Sequence, residues 1–564
     1  MLKHLRYALG YGPRWQARRT RAAFLNALNH CESVQRRLLL GLLQLHADSE
    51  FSRDHGLDYV RSIPEFQRAL PIADFERVRP YVERLQRGDW QALFGPRQRP
   101  LMFAMSSGTT ALPKAIPISR RYLADYRRSW QTWGIDLYTQ YPRMNFLHIV
   151  QLASDFDRAR TEAGTPCGNI TGFVQHIQNP IIRTMYSVPS GVLKLTDPIA
   201  KYYASLRFAL ADADVGMLIT ANPGTLIHLG ELAAEHQESL LRDIAEGTLS
   251  LPGAGSEAAR QGLSRRLTPR PERARVLARL ASRRGRLELQ DAWSNLQLLG
   301  VWTAGSAAAY LPRLRGMFPG VPIRDHGLSA SEGRMTITLE DETRSAPLDI
   351  TSHFFEFIPE WEIDRPRPPV LLAHELQPGA AYYILLTTSC GLYRYNIQDV
   401  VRCTGYKGTT PLLEFLHKGA HISNVTGEKL TESQVVEAVG GALRSLAQSL
   451  SYYSLTPVWG NPPQYHLLID ERELPPALDR RLAAEVDSAL MRLNCEYEDK
   501  RRTSRLKPVV VSRLPVGTWQ RLIQSRQARP SGSLEQYKHP CLAPGLDFRD
   551  RLLEEHGGRQ AIPA

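Results

Sequence analysis

The sequence predicts an α/β protein with a large N-terminal domain, whose helix-covered sheets include a β-subdomain, and a smaller C-terminal α/β domain. Apolar segments of strand length at 146–150, 216–220 and 296–302 alternate with helical patterns, which is typical of a mainly parallel sheet covered by helices. Short strands at 354–357 and 382–388 follow one another without a helix between them, which indicates the β-subdomain. The chain has 564 residues and exceeds one hydrophobic core, so at least two domains are expected.

The order of elements places the domain boundary in the last third of the chain. Residues 1–100 are predicted to be helical, with prolines in the connections. The segment 403–411 is rich in glycine and turn-prone, and we expect the hinge there or shortly after it. The sequence thus predicts a large domain over 1–415 and a smaller domain over 416–564, in which strands and helices alternate. The clearest C-terminal elements are a strand and a helix, at 465–469 and 478–494.

The composition is that of an ordinary globular protein. Hydrophobic residues make up 43% of the chain and charged residues 23%. The longest apolar run near the N-terminus, 38–43, is far shorter than the roughly 18 residues of a membrane span, so an amphipathic core helix is predicted there. Residues 1–21 are basic but lack the apolar segment of a secretory signal, and a cytoplasmic location is expected.

Cysteine spacing and charge argue against two other classes of protein. Six cysteines are spread over the chain without Cys-x-x-Cys pairs, so neither a disulfide framework nor a zinc site is predicted. The formal net charge is +13, and the densest basic block is 260–286. That block carries leucines at roughly helical spacing without interleaved aromatic residues, which favours a solvated helix face over a nucleic-acid site. Only ten of the seventy Lys and Arg residues are lysines, so the position of each lysine is informative.

A hydroxyl-rich loop closed by a lysine runs from Ser106 to Lys114. It follows the apolar segment 101–105, which reads as a strand, and it precedes a segment that turns helical near Ser119. Backbone N–H groups and hydroxyls in such a loop can surround a polyphosphate while the Lys114 ammonium offsets its charge. The spacing is not that of a Walker P-loop, so an ordinary NTPase is disfavoured; for the loop alone, a simple turn is the alternative.

Four further motifs follow in order along the chain. They are Trp-Thr-Ala-Gly-Ser at 302–306, Gly-Leu-Ser-Ala-Ser-Glu-Gly at 327–333, Tyr-Arg-Tyr-Asn-Ile-Gln-Asp-Val-Val at 393–401, and Gly-Glu-Lys-Leu-Thr-Glu at 427–432. Together with the lysine-closed loop, they resemble the GH3 family of acyl-acid amido synthetases, a branch of the adenylate-forming superfamily. Single motifs of this length are weak, but five in the right order are strong. The resemblance runs over most of the chain and implies the fold of adenylate-forming enzymes, with a mobile C-terminal domain.

The resemblance implies that the lysine-closed loop binds the phosphates of ATP. Ser106, Ser107 and Thr109 would donate hydrogen bonds to the β- and γ-phosphates, and Lys114 would follow as an electrostatic partner. The family commonly has glycine where this chain has Ala111, whose methyl group is compatible with a negative φ.

The next two motifs are implied to surround the metal and the adenine. The carboxylate of Glu332 would hold Mg²⁺ beside the polyphosphate, whereas an isolated glutamate in this setting would be an ordinary surface residue. Leu328 occupies the family's usual tyrosine position, where an aliphatic contact would replace an aromatic stack on adenine. Thr303 and Gly305, with Ser306, follow a predicted strand where the resemblance implies an adenine-binding edge.

The Tyr-Arg-Tyr motif is implied to hold the ribose. Asp399 resembles the aspartate that accepts both ribose hydroxyls, because two acceptor oxygens on one side chain match two vicinal donors. Alternatively, Asp399 is paired with Arg394 or Arg402. The residue before it is Gln398, where the family usually has glycine. Arg394 is a secondary candidate for the nucleotide site.

Two lysines are candidates for catalysis. Lys429 corresponds to a lysine at the start of the mobile C-terminal domain, and Lys538 lies in the family's late Lys-x-Pro segment. Either ammonium could stabilise the charge that develops as pyrophosphate leaves, and both could act in different domain orientations. The alternative for each is a solvated lysine.

These assignments imply a ligase that uses ATP and Mg²⁺. It would activate a small carboxylic acid as an acyl-adenylate and transfer the acyl group to an amine, for which an amino acid is expected, releasing AMP and pyrophosphate. The sequence contains no Gly-x-Ser-x-Gly elbow and no His-Glu-x-x-His motif, which fits a reaction without a side-chain nucleophile. The alternatives are thioester formation with CoA, or an inactive nucleotide-binding regulatory protein, which Ala111, Leu328 and Gln398 would explain. Neither a nucleic-acid partner nor a membrane span is expected.

Overall fold

The computed structural model describes residues 7–96, 98–106, 114–195, 197–250, 262–419, 422–426, 428–527 and 538–556. Before the first strand, the described chain forms short and medium helices, which confirms the predicted helical start: α1 Tyr11–Ala27, α2 Cys31–Leu45, α3 Glu50–Asp54, α4 Ile63–Ala69 and α5 Arg79–Gln86. The apolar run 38–43 lies in α2, whose Leu39, Leu42 and Leu43 are buried, as an amphipathic core helix requires.

The first sheet has four strands in the order β2–β1–β5–β4. They are β1 Met102–Ser106, β2 Lys114–Ile118, β4 Ala159–Arg160 and β5 Pro166–Gly168. β1 is antiparallel to β2 and parallel to β5, and Ser106 is paired with Lys114. The two strands that flank the lysine-closed loop are therefore neighbours.

The second sheet is parallel, which confirms the predicted parallel sheet. Its order is β3–β6–β7–β8, formed by β3 His148–Gln151, β6 Val215–Thr220, β7 Leu298–Val301 and β8 Ile323–Arg324. Every residue of β6 and β7 is buried, as expected for strands covered by helices on both faces. The helices of this region are α6 Arg120–Gln140, α7 Ile170–His176, α8 Pro180–Arg183, α9 Pro198–Ala211, α10 Pro223–Glu235, α11 Gln237–Glu246, α12 Pro271–Arg284, α13 Leu289–Ala292 and α14 Leu311–Met317.

Side-chain caps explain where several of these helices begin. The hydroxyl of Ser119 accepts a hydrogen bond from Tyr122 N at 3.0 Å and donates to Ser389 O, which fixes the start of α6. Asn169 caps α7 in the same way, directly after β5. The predicted helical turn near Ser119 is confirmed.

The predicted β-subdomain is an antiparallel sheet with the order β11–β16–β15–β14–β12–β13. Its strands are β11 Ala346–Pro347, β12 Phe354–Pro359, β13 Leu371–Leu372, β14 Ala381–Thr387, β15 Tyr395–Lys407 and β16 Thr410–Lys418. The small hairpin that precedes it pairs β9 Ser329–Ala330 with β10 Gly333–Arg334.

The glycine-rich segment 403–411 does not form a connection between domains. It ends β15 and begins β16, and Gly408 supplies the positive φ of +63° that the turn between them needs. Thr409 N also donates to Leu28 O at 2.9 Å, which ties this turn to the N-terminal helices. A boundary between residues 415 and 416 would cut β16, so a boundary after Lys418 fits the strand pairing better.

The C-terminal part has its own three-stranded sheet and hydrophobic core. The sheet order is β19–β20–β21, formed by β19 Tyr453–Val458, β20 Gln464–Asp470 and β21 Lys507–Leu514, after a small hairpin of β17 Ile422–Ser423 and β18 Leu430–Thr431. The helices are α15 Glu432–Ser445, α16 Asp479–Leu493, α17 Cys495–Arg502, α18 Thr518–Gln527 and α19 Phe548–His556. The predicted strand 465–469 and helix 478–494 are confirmed by β20 and α16.

The C-terminal part packs on the turn that follows β7. Helix α15 contacts the 3₁₀ helix Gly305–Tyr310, and the rings of Tyr310 and Tyr452 lie 5.8 Å apart at 79°. Arg313 donates to the Ser451 hydroxyl at 2.6 Å across the same junction. This packing places C-terminal residues beside the carboxyl end of the parallel sheet.

Two further expectations concern surface and membrane. The basic block 260–286 contains α12, which buries Ala274, Leu277 and Ala281 and exposes most of its arginines, as a solvated helix does. Among the described residues, no helix is long and apolar enough to cross a membrane.

Candidate active site

Several of the predicted site residues lie near the carboxyl edge of the parallel sheet. Thr303 lies two residues after β7, and Asp325 follows β8 directly. In open α/β sheets, this edge is where ligands bind. The β15–β16 pair and the segment that begins at Lys538 approach the same place.

Asp325 organises the turns that follow β7 and β8. One of its carboxylate oxygens accepts from Thr303 N at 2.7 Å and from the Thr303 hydroxyl, and the other accepts from Gly327 N at 2.7 Å. Burial raises the pKa of Asp325 to about 6, against the opposing effect of these donors. Because the Thr303 hydroxyl is hydrogen-bonded to Asp325, a ligand at this edge would contact backbone groups more than side chains.

Gly305 has a steric reason to be glycine. Its φ is +58°, and a Cβ there would lie 2.8 Å from the Phe415 ring. The implied adenine edge is therefore in close contact with β16.

Leu328 is packed into the protein. Its side chain is 5% exposed and belongs to the main hydrophobic core, while its N–H donates to Thr336 Oγ1 at 2.7 Å. The aliphatic contact of Leu328 with adenine that the resemblance implies stays a prediction.

A hydrogen-bonded chain links Lys114 to Glu332. Lys114 Nζ donates to Tyr395 Oη at 3.0 Å, and the Tyr395 hydroxyl donates to Glu332 Oε1 at 3.3 Å. Burial raises the pKa of Glu332, and the positive charges of Lys418 and Lys114 offset part of that effect. Burial beside Glu332 also raises the pKa of Tyr395, which keeps the phenol protonated as a donor. Glu332 is thus a buried carboxylate beside two lysines, unlike an ordinary surface glutamate.

Asp399 is paired with a lysine that the motifs did not single out. Strand pairing sets Asp399 opposite Lys418, whose Nζ donates to Asp399 Oδ1 at 2.8 Å and to Ile397 O at 3.1 Å. Burial opposes the charge of Lys418, but the attraction of Asp399 outweighs it and raises the lysine pKa. The scarcity of lysine in the chain was the one sequence signal that could have drawn attention to Lys418.

Arg394 does not face the nucleotide site. Its Nε donates to Glu356 Oε2 at 3.0 Å, and its Nη1 donates to the carbonyls of Leu70 and Gln67 at 2.7 and 3.0 Å. The side chain is buried, so it joins β12 to the segment after α4. This arrangement corrects the secondary nucleotide assignment of Arg394 and also the alternative that it pairs with Asp399.

The two candidate lysines differ in position. Lys538 Nζ lies 5.8 Å from the centre of the Trp302 ring, within electrostatic range of Asp399, Lys418 and Glu432. Burial of its ammonium lowers its pKa, although the residue as a whole keeps an exposed surface. Lys429 is exposed and lies 3.7 Å from Asp364 Oδ2 at the molecular surface. In this orientation of the C-terminal part, only Lys538 of the two approaches the site.

The loop itself is described only at its ends. Ser106 is the last residue of β1, whereas Ser107 and Thr109 lie outside the described residues. At the other end, Lys114 opens β2 and contacts Tyr395.

A small pocket of about 70 Å³ lies at the same edge of the sheet. Its lining comes from the ends of β3 and β6, the start of α7, the middle of α6 and the turn after β8, and includes Trp130, Gln151, Ser154, Asn169, Thr171, Thr220 and His326. Behind it, the Arg334 guanidinium stacks on Trp130 at 4.0 Å and donates to His326 O. Burial lowers the pKa of Arg334 to about 10, and its Nε and Nη1 have no hydrogen-bond partner in the described part of the chain. Sequence reasoning missed this pocket because its residues come from five separate segments.

The described residues offer no cluster of three or more His, Cys, Asp or Glu side chains that could hold a metal. The five described buried cysteines and the exposed Cys495 are all free thiols.

Comparison with known proteins gives matches along nearly the whole chain. Family models described as the GH3 family N-terminal domain, central domain and C-terminal domain match residues 20–323, 346–418 and 433–545. Similar curated proteins include the indole-3-acetic acid-amido synthetase GH3.3 of Arabidopsis thaliana, which is 23% identical over 563 residues and covers 93% of this chain and 92% of that protein. The jasmonoyl--L-amino acid synthetase JAR4 of Nicotiana attenuata is 24% identical over 431 residues, covering 73% and 74%.

The fold has a counterpart among solved structures. A structure described as GH3.15 acyl acid amido synthetase superposes with a TM-score of 0.83 at 18% identity, covering 96% of this chain and 98% of that one. A structure described as the same synthetase from Arabidopsis in complex with 2,4-DB gives a TM-score of 0.81 at 19% identity, with the same coverage. At this identity, the likeness establishes the α/β fold.

Proposed function

This chain belongs to the GH3 family, and from that premise we propose that it is an acyl-acid amido synthetase. It would use ATP to activate a carboxylic acid as an acyl-adenylate and would then transfer the acyl group to an amine, with an amino acid as the expected acceptor. The observation that carries the proposal is the convergence of Lys114, Glu332, Asp399, Lys418 and Lys538 beside a pocket at one edge of the sheet.

The chemistry explains why these groups belong together. A carboxylate is a poor acyl donor because oxide is a very poor leaving group, and the substrate ATP supplies AMP as a better one. The reaction needs no side-chain nucleophile, so the protein contributes positioning and charge stabilisation.

Asp399 and Lys418 form the proposed ribose site. An aspartate offers two acceptor oxygens to two vicinal hydroxyls, and the hydrogen bond from Lys418 fixes the carboxylate in place. Asp325 would hold the neighbouring turn in place through Thr303 and Gly327.

Glu332 is the proposed carboxylate for Mg²⁺. Magnesium is usually held by one or two carboxylates together with substrate phosphates, so the buried carboxylate of Glu332 fits this ion. A bound Mg²⁺ would neutralise phosphate charge. Tyr395 would orient Glu332, and Lys114 would hold the phosphate end of the nucleotide together with Ser106, Ser107 and Thr109.

Lys538 is the proposed catalytic cation for adenylation. It lies next to Asp399 and Trp302, and burial lowers its pKa. From this position, its ammonium can reach the negative charge that develops as pyrophosphate leaves. Lys429 would serve in a second orientation of the C-terminal part, after a rotation that brings it to the same edge.

The pocket lined by Trp130 and His326 is the proposed acid site. It opens at the edge where the nucleotide groups meet, and Asn169 on its wall follows the strand that is paired with β1. Its small volume and its indole and imidazole walls favour a compact acid.

Product identification tests the proposal directly. The purified protein is incubated with ATP, Mg²⁺, a panel of carboxylic acids and either an amino-acid mixture or CoA, and products are identified by mass spectrometry. We expect AMP together with an N-acyl amino acid for at least one acid. AMP with an acyl-CoA product would establish the thioester alternative, and no AMP with any acid would contradict the ligase assignment.

Two finer points are also part of the proposal. We propose a domain boundary after Lys418, because β16 ends there and a separate core begins with Leu430. A cytoplasmic location is proposed from the free cysteines, which suit a reducing compartment.

A further inference from the structure

The N-terminal segment presents aromatic side chains to solvent in one stripe. Tyr7, Tyr11 and Trp15 are spaced four residues apart and are 42%, 69% and 52% exposed, and Leu9 is 54% exposed. Tyr11 and Trp15 lie on neighbouring turns of one face of α1, and Tyr7 lies on the short helical segment before it, which ends at Leu9. Among the described residues, large apolar side chains are otherwise exposed singly or at scattered positions. This stripe is therefore a local concentration of exposed aromatic surface.

The same segment is strongly basic. Residues 1–30 contain six Lys and Arg residues and not one Asp or Glu. The Arg14 guanidinium lies 4.1 Å from the Tyr7 ring centre, and the Arg19 guanidinium lies 4.7 Å from that of Trp15. The exposed stripe thus combines aromatic rings with arginines stacked on them.

The other side of helix α1 is anchored to the protein. Phe24 and Leu28 are buried in a cluster with Trp133 and Leu137, and Arg21 Nε contacts Asp136 Oδ1 at 2.6 Å. Tyr11 and Trp15 therefore lie on the outer face of a fixed helix, and neither of them belongs to a hydrophobic core cluster.

The stripe lies at the amino edge of the parallel sheet, opposite the candidate active site. The Tyr7 ring stacks on Phe146 at 5.1 Å, and Phe146 precedes β3. Helix α12 is anchored near this edge, since Arg273 donates to Leu210 O at 2.8 Å just before β6.

We propose that this face docks on an anionic lipid surface. A helix with Trp and Tyr beside Arg on its exposed face is typical of helices that lie in the headgroup layer, where the rings bury shallowly and arginines meet phosphates. The guanidinium groups already stacked on Tyr7 and Trp15 occupy ring faces that nucleic-acid bases would need, which favours lipid over single-stranded RNA or DNA. The match to the model of the family's N-terminal domain begins at residue 20, after the stripe.

Vesicle co-sedimentation of the full chain tests this proposal. Vesicles of phosphatidylcholine alone are compared with vesicles that contain phosphatidylglycerol as well. We expect the chain to bind the anionic vesicles more strongly than the phosphatidylcholine vesicles, by at least about fivefold for each arginine that contacts them. This binding should weaken with added salt. Arg18→Gln/Arg19→Gln should lower it by roughly tenfold or more, and Tyr11→Ser/Trp15→Ser should lower it on both vesicle types.

Matched variants control for general effects. Trp361→Ser/Trp459→Ser removes two tryptophans that are 68% and 72% exposed elsewhere, and Arg480→Gln/Arg481→Gln removes two exposed arginines of α16. These variants should bind vesicles like wild type, and all variants should keep the wild-type thermal unfolding midpoint.

Several results would overturn the proposal. They are equal binding to neutral and anionic vesicles, equal losses in the control variants, tighter binding to single-stranded RNA than to anionic vesicles, or a dimer in sedimentation equilibrium that the stripe variants dissociate. Trp15 provides a second readout that is independent of folding yield. Brominated lipids should quench the wild-type emission more than that of Trp15→Phe, and equal quenching would count against docking through this helix.

Discussion

Glu332 carries the proposed metal role and also a cost to stability. Its folded pKa is raised, so protonation is easier in the folded state, and the folded state loses stability as pH rises through that pKa. Glu332→Gln should therefore abolish Mg²⁺-dependent adenylation while leaving unfolding free energy equal or higher at neutral pH.

The pH dependence separates this effect from simple damage. The difference in unfolding free energy between Glu332→Gln and wild type should be small near pH 4 and should favour the variant near pH 8, as measured by urea unfolding at the two pH values. A variant that is less stable than wild type at pH 8 would show that the carboxylate is stabilising and would contradict the desolvation argument.

Asp399 and Lys418 should behave as one unit. Asp399→Asn and Lys418→Met should each raise the KM for ATP by roughly 10- to 150-fold, the equivalent of about 1.5–3 kcal/mol for a hydrogen bond to a charged group. Lys407→Met is the matched control, because Lys407 is an exposed lysine at the far end of β15. ATP kinetics like those of wild type in both site variants would exclude the ribose assignment.

For single residues, sequence motifs predict which positions belong to the site but not which side chains those positions contact in the fold. Lys114, Glu332 and Asp399 are located by motifs, whereas Lys418, Asp325 and Arg334 emerge only from the folded chain. Lys418 becomes important through strand register, which no local pattern encodes. Arg394 is the opposite case: it belongs to a motif, but its side chain donates hydrogen bonds to Glu356 and to two backbone carbonyls.

Lys538 and Lys429, both in the C-terminal part, should act in different steps of the reaction. Lys538→Ala should lower kcat for adenylation by about 10²- to 10³-fold with little change in ATP affinity, because the contact is made mainly in the transition state. Lys429→Ala should instead slow amide formation from presynthesised acyl-adenylate.

Lys507→Ala, which removes an exposed lysine at the start of β21, controls for loss of charge. Separate stopped-flow measurements of adenylation and transfer give the comparison. If both site variants adenylate and transfer at wild-type rates, the two lysines are surface residues.

The connection between β16 and α15 should be the hinge. Limited proteolysis is expected to cut between Lys418 and Glu432, and ATP with a substrate acid should slow that cut by holding the C-terminal part in one orientation. N-terminal sequencing of the fragments identifies the site. If the first cuts fall within 403–411, the hinge is the β15–β16 turn and not the connection between β16 and α15.

Elements with a strong pattern were predictable, and connections were less so. The buried run 216–220 and the helix 478–494 appear as β6 and α16 because each has a clear period. The segment 403–411 looked like a linker because glycine marks tight hairpins and hinges alike, and only pairing with neighbouring strands separates the two.

In the whole molecule, the two edges of one parallel sheet carry two different properties. The carboxyl edge gathers the groups of the proposed nucleotide site, the proposed acid pocket and Lys538. The amino edge carries the basic aromatic stripe of α1. A protein docked through the stripe would hold its active-site cleft away from the lipid surface.

Acid-dependent exchange of labelled pyrophosphate into ATP is the most direct test of the central claim, because it reports adenylation without the acceptor. Wild type should exchange label only when Mg²⁺ and a suitable acid are both present, Glu332→Gln and Lys538→Ala should show almost none, and Lys407→Met should match wild type. Exchange that is absent with every acid in a broad panel, or that is unchanged in both site variants, would contradict the assignment of this edge of the sheet as an adenylating site.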